Sequence, residues 1–232
     1  MTGPVWHHPA RSYGLGRLIE HDPRSLAYEV PMLLPRPEPV LWPRYGPVLD
    51  QGNLGACTGF AMAAWLQCAP GCSAPLQASA FGPDLARSLY SRATELDRFP
   101  GQWPPDDTGS SGLAVAKAAK RLGLIAAYRW AFSWSGLLHA LQVGPVIVGV
   151  PWFEGMFDPD PDGVVVASGP VVGGHEFLVR GTTTHFGALH LVCDNSWGPG
   201  WADHGTFYLS QTTWQYLAAN KADVTAPVPL AR

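Results

Sequence analysis

The chain has 232 residues with a net charge of -3, and its charged residues make up only 14% of the total against 47% hydrophobic residues. This composition excludes a disordered protein, which would be poor in hydrophobic residues and rich in charge. Without a basic cluster or a long apolar run, the sequence also predicts no nucleic-acid partner, no membrane partner and no signal peptide. We therefore expect a folded cytoplasmic protein, of an oligomeric state that the sequence leaves open.

The first half of the chain carries apolar residues at helical spacing. Glycine or proline follows several of these segments, as is typical of helix ends. The predicted helices cover Cys57–Cys68, Asp84–Leu96, Leu113–Leu122 and Ser135–Leu141.

The second half contains short β-branched or aromatic runs separated by Gly, Pro and Asp, which predict strands. The predicted strands cover Val146–Val150, Gly163–Ala167, Glu176–Arg180, Ala188–Cys193 and Thr206–Leu209. Helices followed by strands indicate an α+β fold with a cleft where the two lobes meet. We expect an N-terminal arm over residues 1–36 and one domain over 37–232, with a helical lobe at about 50–140 and an antiparallel β lobe at about 141–225.

Cys57 stands at the predicted N-terminus of a helix. The partial positive charge at a helix N-terminus lowers the pKa of a thiol, so a reactive cysteine could work there, although an inert buried cysteine would fit as well. A catalytic thiolate needs a basic partner and a group that orients this partner. His175 and Asn195 are the candidates.

Three segments resemble the papain-like (family C1) cysteine peptidases and occur in the family's order. They are Pro47–Phe60 around Cys57, Gly173–Gly181 around His175, and Asp194–Trp201 around Asn195. His175 and Asn195 follow Cys57 by 118 and 138 residues, close to the family's separations of about 130 to 150 residues. The pattern is most similar to bacterial or phage members without a conventional prosegment.

The resemblance implies a role for each matched residue. Cys57 would be the nucleophile, His175 the general acid/base and Asn195 the residue that orients the imidazole. Gln51 would donate to the oxyanion, a contribution of about 3 to 4 kcal/mol to the barrier. Trp197 would shield the hydrogen bond between His175 and Asn195 from water.

The resemblance also implies the substrate-binding residues. Gly109 would present its backbone to an extended peptide. The pocket for the second residue before the scissile bond would be lined by small uncharged residues, so we expect it to accept bulky apolar side chains. These lining residues are Ser110, Ser111, Gly149, Gly173 and Gly174.

Departures from the family's pattern bear on compartment and regulation. Leu54 stands where secreted relatives carry a disulfide cysteine, which fits a reducing compartment. Glu176 follows the catalytic histidine and, on a strand, should point away from it. Residues 1–36 lack the helical periodicity of an inhibitory prosegment, so we expect an arm packed on the periphery, with partial occlusion of the cleft as the alternative.

The sequence therefore predicts a papain-like cysteine endopeptidase that acts on a peptide or protein substrate and needs no cofactor or metal. One alternative is a thiol amidase or acyltransferase on the same fold, for example one that acts on cell-wall peptides. A second alternative is a non-catalytic binding protein with this fold.

Overall fold

The computed structural model of the chain describes residues 6–7, 13–32 and 37–231. Within these residues, the α-helices are α1 (Cys57–Leu66), α2 (Pro75–Ala78), α3 (Pro83–Thr94), α4 (Gly112–Arg121), α5 (Trp134–Leu141) and α6 (Gln211–Ala219). Short 3-10 helices cover Pro23–Tyr28, Ser79–Phe81 and Glu154–Phe157. Helix α1, which carries Cys57 at its first residue, packs against α3 and α4.

The strands form one larger antiparallel sheet and one small pair. In chain order they are β1 (Trp6–His7), β2 (Gly14–Leu15), β3 (Ala127–Trp130), β4 (Val146–Phe153), β5 (Val171–His185), β6 (Ala188–Asp194), β7 (Thr206–Ser210) and β8 (Asp223–Val228). β1 pairs with β2, and the other six follow the order β3-β8-β4-β5-β6-β7. The predicted α+β fold with an antiparallel β lobe is confirmed.

Two apolar clusters of buried side chains lie on opposite faces of the sheet. One cluster joins α1, α3 and α4 to the residues Ile147 and Leu178. The other joins the opposite face of the sheet to α5 and α6 and contains most of the buried aromatic rings. Alternate residues of a strand point to opposite faces, so neighbouring residues of β5 reach different clusters.

Helix α1 lies very close to α3. A Cβ atom on Gly59 of α1 would overlap with the backbone carbonyl oxygen of Ala86 in α3. The glycine therefore permits a backbone approach that any larger residue would prevent. Nine of the ten residues of α1 are buried, so the helix behind Cys57 is held firmly on all sides.

The predicted strand at 163–167 is wrong. Val164 makes a single isolated bridge with Tyr208, and Gly163 adopts a positive φ of 78°, which interrupts extended pairing. β3 and β8 are strands that were not predicted. Both are short, and they include an Arg, a Pro or an Asp, so their composition does not indicate a strand. β3 lies within the predicted helical lobe at about 50–140, but it joins the sheet by pairing with β8.

No helix in the described parts of the chain is long and apolar enough to cross a membrane.

Candidate active site

Cys57 is fully buried at the start of α1, and this helix end has no side-chain cap. The uncapped N–H groups of the first turn are therefore available to groups beyond the helix end. Backbone N–H groups of Gly16, Glu176 and Thr58 lie near the Cys57 sulfur and act to lower the pKa of its thiol. Because Glu176 follows His175 in β5, the thiol lies next to the part of the strand that carries that histidine.

His175 is buried in β5 and is oriented by Asn195. The His175 Nε2 atom lies 2.7 Å from Oδ1 of Asn195. This Oδ1 atom also accepts a hydrogen bond of 2.7 Å from the backbone N–H of Ser196, so Nε2 must carry the ring proton. The other ring nitrogen, Nδ1, is buried without a hydrogen-bond partner and is therefore the free basic atom of the ring.

Aromatic rings enclose this hydrogen-bonded pair. The Trp197 ring lies 4.6 Å from the His175 ring, with the two planes inclined by 32°. Trp152 approaches the same imidazole edge-on, with ring centroids 4.9 Å apart. Trp152 and Trp197 are both buried, so water is excluded from the pair. The position of Trp197 is the one predicted from the sequence, whereas the contact between Trp152 and His175 was not predicted.

Gln51 is held beside the Asn195 segment by its backbone and by its side chain. Its backbone N–H donates to the carbonyl oxygen of Ser196 at 2.9 Å. Its side-chain Oε1 accepts from the hydroxyl of Ser196 at 2.5 Å, which turns the Nε2 amide group toward the cleft. Nε2 donates to the carbonyl oxygens of Leu54 at 2.8 Å and Gly14 at 3.1 Å.

A buried tyrosine positions the loop of Gly109, a role that the sequence analysis missed. The Tyr90 hydroxyl donates to Oδ1 of Asp107 at 2.5 Å and accepts from the backbone N–H of Gly109 at 2.8 Å. Oδ2 of Asp107 in turn accepts from the backbone N–H of Gly55, at 2.8 Å. Tyr90 and Asp107 therefore tie the loop before Cys57 to the opposite wall of the cleft.

Residues 13–18, which we call the cleft segment, lie across this site. At one end the Tyr13 ring stacks on Trp197, with centroids 4.6 Å apart and planes inclined by 15°. Gly14 donates its N–H to the Gly52 carbonyl oxygen at 3.0 Å, and its own carbonyl oxygen accepts from Gln51. The predicted oxyanion donor is thus bonded to the chain itself.

At its other end the cleft segment pairs with the opposite walls. Ser110 donates its N–H to Gly16 at 2.8 Å and accepts from the N–H of Leu18 at 2.7 Å. The N–H of Arg17 donates to the Gly174 carbonyl oxygen at 2.9 Å. Residues 13–18 therefore occlude the cleft, which is the alternative that the sequence analysis weighed for the arm; residues 1–5, 8–12 and 33–36 of this arm lie outside the described residues.

Glycines on both partners allow the cleft segment to lie so close. A Cβ atom on Gly16 would overlap with the carbonyl oxygen of Gly55, and one on Gly109 would overlap with the carbonyl oxygen of Gly16. A Cβ atom on Gly174 would likewise overlap with the Arg17 carbonyl. Gly109 and Gly174 thus lie directly against the backbone of the cleft segment; the resemblance implied such a close approach of a substrate for Gly109 only.

Burial controls the protonation of the two reactive groups in this arrangement. Loss of water, followed in size by the nearby Glu176 charge, raises the pKa of the Cys57 thiol to about 12. Burial lowers the pKa of His175 to about 4, against a smaller opposite effect of the hydrogen bond with Asn195. The pair is therefore neutral while the cleft segment is in place, because burial outweighs the helix N-terminus that would favour a thiolate.

The space beside Gly149 and Gly174, two of the residues predicted to line the substrate pocket, is charged. The Arg17 side chain lies in this space and pairs with Asp223. Glu176 points away from His175, as expected, and reaches the same pocket, where its carboxylate faces Gly112. The expectation of an uncharged pocket is therefore wrong, because Asp223 lies outside the segments from which the pocket was inferred and Glu176 was expected only to point away from His175.

The remaining cysteines lie elsewhere and form no disulfide. Cys57, Cys68, Cys72 and Cys193 are all buried, and none of them is part of a disulfide. No group of three or more His, Cys, Asp or Glu side chains suited to a metal ion occurs among the described residues.

Comparisons with known proteins find relatives by structure and not by sequence. No model of a known protein family matches the chain, and no curated protein matches it in sequence. Among solved structures, xylellain, a cysteine protease from Xylella fastidiosa, matches with a TM-score of 0.63 over 95% of this chain and 98% of its own, at 15% identity. The fold is that of papain-like cysteine proteases.

Two precursor forms share this fold. Digestive procathepsin L 3 from larval midgut of Tenebrio molitor matches with a TM-score of 0.57 at 15% identity, over 87% of this chain and 74% of its own. A stem bromelain precursor matches with a TM-score of 0.54 at 14% identity, over 93% and 76%.

Proposed function

We propose that this chain is a cysteine endopeptidase of the C1 type, with Cys57 as nucleophile and His175 as general acid/base. The observation that carries the proposal is the buried His175 ring, which has its protonated nitrogen bonded to Asn195 and keeps its other nitrogen free, while the Cys57 thiol lies near the backbone N–H of the next residue, Glu176. The neighbouring structures that are cysteine proteases support the same assignment.

The arrangement accounts for each step of peptide hydrolysis. Nδ1 of His175 takes the proton of Cys57 as the sulfur attacks the peptide carbonyl carbon. The electron pair of the carbonyl double bond moves to oxygen, where Nε2 of Gln51 stabilises the charge. Collapse of this intermediate breaks the C–N bond, and the amine leaves with the proton from His175.

The second half of the reaction regenerates the thiol. His175 takes a proton from water as the water oxygen attacks the thioester carbon. The C–S bond then breaks, the acid product leaves, and the Cys57 sulfur recovers its proton from the imidazole. Asn195 keeps the ring in the tautomer that both halves need.

We further propose that the cleft segment holds the enzyme in a latent form. It occupies the Gln51 amide, the Gly174 carbonyl and Ser110, which are the groups that an extended substrate would contact. It also excludes water, and this keeps Cys57 and His175 neutral. Displacement of the segment would expose both reactive groups and the binding groups together.

The test uses the full chain with the cleft segment displaced by Gly16→Val, since a side chain at this position would overlap with the Gly55 backbone. A peptide mixture is incubated with this variant, and new termini are identified by mass spectrometry. We expect internal cleavages that disappear when Cys57→Ala is added. Gly200→Val is the matched control, because a Cβ atom on Gly200 meets nothing within 4 Å.

Other outcomes would decide for the alternatives. Release of amines from cell-wall peptides, with no cleavage of ordinary peptides, would favour the thiol amidase. Stoichiometric alkylation of Cys57 without turnover of any substrate would overturn the enzymatic proposal and favour a binding protein.

A further inference from the structure

A deep pocket beside the cleft is built from three glycines and two carboxylates. A Cβ atom on Gly149 would lie 2.7 Å from Nε of Arg17 and 2.9 Å from Oδ1 of Asp223. A Cβ atom on Gly112 would lie 2.9 Å from Oε1 of Glu176. The space that side chains would fill is thus occupied at Gly112 by the two acids, at Gly149 by Asp223 and the Arg17 side chain, and at Gly174 by the Arg17 backbone carbonyl and the Cδ atom of its side chain.

The Arg17 guanidinium group is held at the end of this pocket. Its Nη2 atom donates to Oδ2 of Asp223 and, at 2.8 Å, to the carbonyl oxygen of Lys221. The Arg17 side chain is only 1% exposed and that of Asp223 only 12%. A guanidinium group is more weakly hydrated than the ammonium group of a lysine, so its burial in this pocket costs less free energy.

Apart from the Arg17 side chain, the charged groups of the pocket are acidic. Glu176 is fully buried, and neither of its carboxyl oxygens has a hydrogen-bond partner. Oδ1 of Asp223 is also buried without a partner. His21 lies on the outer side of Asp223, with Nε2 3.8 Å from Oδ2, and its side chain is half exposed.

An apolar occupant would leave these acids in an unfavourable state. Removal of one partner from a buried ion pair leaves an uncompensated charge, and this is strongly destabilising. Burial and the charge of Asp223 already raise the pKa of Glu176 well above its ordinary value, while Arg17 opposes this effect. The wall therefore provides a negative charge at Asp223 and a second buried acid beside it.

The backbone next to Arg17 shows how a side chain enters this pocket from the cleft. The N–H of Arg17 donates to Gly174, the residue before His175, and its neighbours pair with Ser110. A peptide that replaces the cleft segment would meet the same groups. The resemblance places this pocket at the second residue before the scissile bond.

We propose that the pocket formed by Gly112, Gly149, Gly174, Glu176 and Asp223 selects an arginine side chain two residues before the scissile bond of a peptide substrate. The position in the substrate rests on the proposed function, whereas the affinity of the pocket for a guanidinium group does not. Arg17 then holds the cleft segment closed by using the same recognition.

The first experiment measures guanidinium binding without any turnover. In the full chain, Arg17→Ala empties the pocket, and millimolar guanidinium chloride should raise its Tm relative to the same concentration of sodium chloride. Arg24→Ala is the matched control, because Arg24 is an exposed arginine of the same arm and pairs with Asp22 outside the pocket. It should show no rise.

A rise that persists when Asp223→Asn is added, or an equal rise in the Arg24→Ala control, would overturn the inference. If Arg17→Ala does not fold, Arg17→Gln is measured in the same way, since its neutral amide also removes the guanidinium group and fills more of the space.

The second experiment measures specificity with the full-chain Gly16→Val variant and peptides that vary at the second residue before the cleaved bond. We expect kcat/KM to be about 100-fold higher for Arg than for Leu, as follows from the cost of an unpaired buried charge. Asp223→Asn should reduce this preference to a few-fold. Asp84→Asn removes the same charge from an exposed site on α3 and should leave the preference unchanged.

The two experiments separate the two proposals. Cleavage without preference for Arg would overturn the pocket inference and leave the peptidase proposal standing. Absence of any cleavage, together with a guanidinium effect that depends on Asp223, would overturn the peptidase proposal and the substrate position while supporting the guanidinium site.

Discussion

The Gly16→Val substitution should make the Cys57 thiol accessible to alkylation in the full chain. Residue 16 lies over the thiol, and any Cβ atom there would overlap with the backbone of Gly55, which no side-chain rotation can relieve. Overpacking typically costs about 1 to 3 kcal/mol, and a clash of a Cβ atom with backbone atoms, which cannot rotate away, belongs at the upper end. The ratio of open to closed cleft should therefore rise by up to about 100-fold.

The assay is the rate of iodoacetamide labelling at neutral pH, read by peptide mapping. When opening and closing are fast, this rate follows the open population, so labelling of Cys57 should accelerate by the same factor. Cys68 and Cys193 are buried away from the cleft and should stay unlabelled; their modification at an equal rate would indicate global unfolding. Gly200→Val should behave as the unmodified chain.

An unchanged labelling rate of Cys57 in a folded Gly16→Val chain would refute the reasoning. It would mean either that the cleft segment adjusts to the valine while it stays in the cleft, or that the closed cleft segment does not protect the thiol from alkylation. Loss of all secondary structure by circular dichroism would instead show that the substitution acts on the whole fold.

Three further predictions concern the supporting residues. In the Gly16→Val background, which opens the cleft, Gln51→Ala should lower kcat about 100- to 1000-fold with little change in KM, as for one lost oxyanion donor. Asn195→Ala should lower kcat less. An unaltered kcat for Gln51→Ala would place the oxyanion site elsewhere. Tyr90→Phe should reduce the free energy of unfolding in urea by about 1 to 3 kcal/mol, because it leaves the N–H of Gly109 unpaired; no change would mean that this loop is held by other contacts. Glu176→Gln should stabilise the chain relative to the unmodified protein, increasingly so as pH rises above about 4.5. Burial raises the folded-state pKa of Glu176, so this acid contributes stability at low pH and loses that contribution as pH rises. A difference in Tm between the two chains that stays constant between pH 4 and 8 would contradict this cause.

Local patterns were sufficient for most of the fold. The apolar spacing after Cys57 and the β-branched runs around Val146 and His175 depend on neighbours in sequence, and the structure has helices and strands there. β3 and β8 escaped prediction because their partners are far away in the chain: Tyr128 pairs with Pro227, and tertiary pairing stabilises segments whose own propensity is weak.

In the candidate site, too, some residues could be predicted from local sequence patterns and others could not. Cys57, His175, Asn195 and Gln51 stand in segments whose residue pattern is informative by itself, and the structure places His175 against Asn195 and Gln51 against the neighbouring Ser196. The pairing of Tyr90 with Gly109 could not be inferred, since a tyrosine on an amphipathic helix is usually a core residue.

The sequence by itself determined the α+β class, most of the longer helices and strands, the cysteine at a helix start and the residues that could support it. Only the tertiary structure decided that the cleft is occupied and that its side pocket is acidic. Asp223 is 47 residues beyond Glu176 in the chain, and Arg17 lies in an arm without a periodic pattern. Their encounter depends on the path of the whole backbone, and the burial that shifts the pKa of Cys57 and His175 follows from that same path.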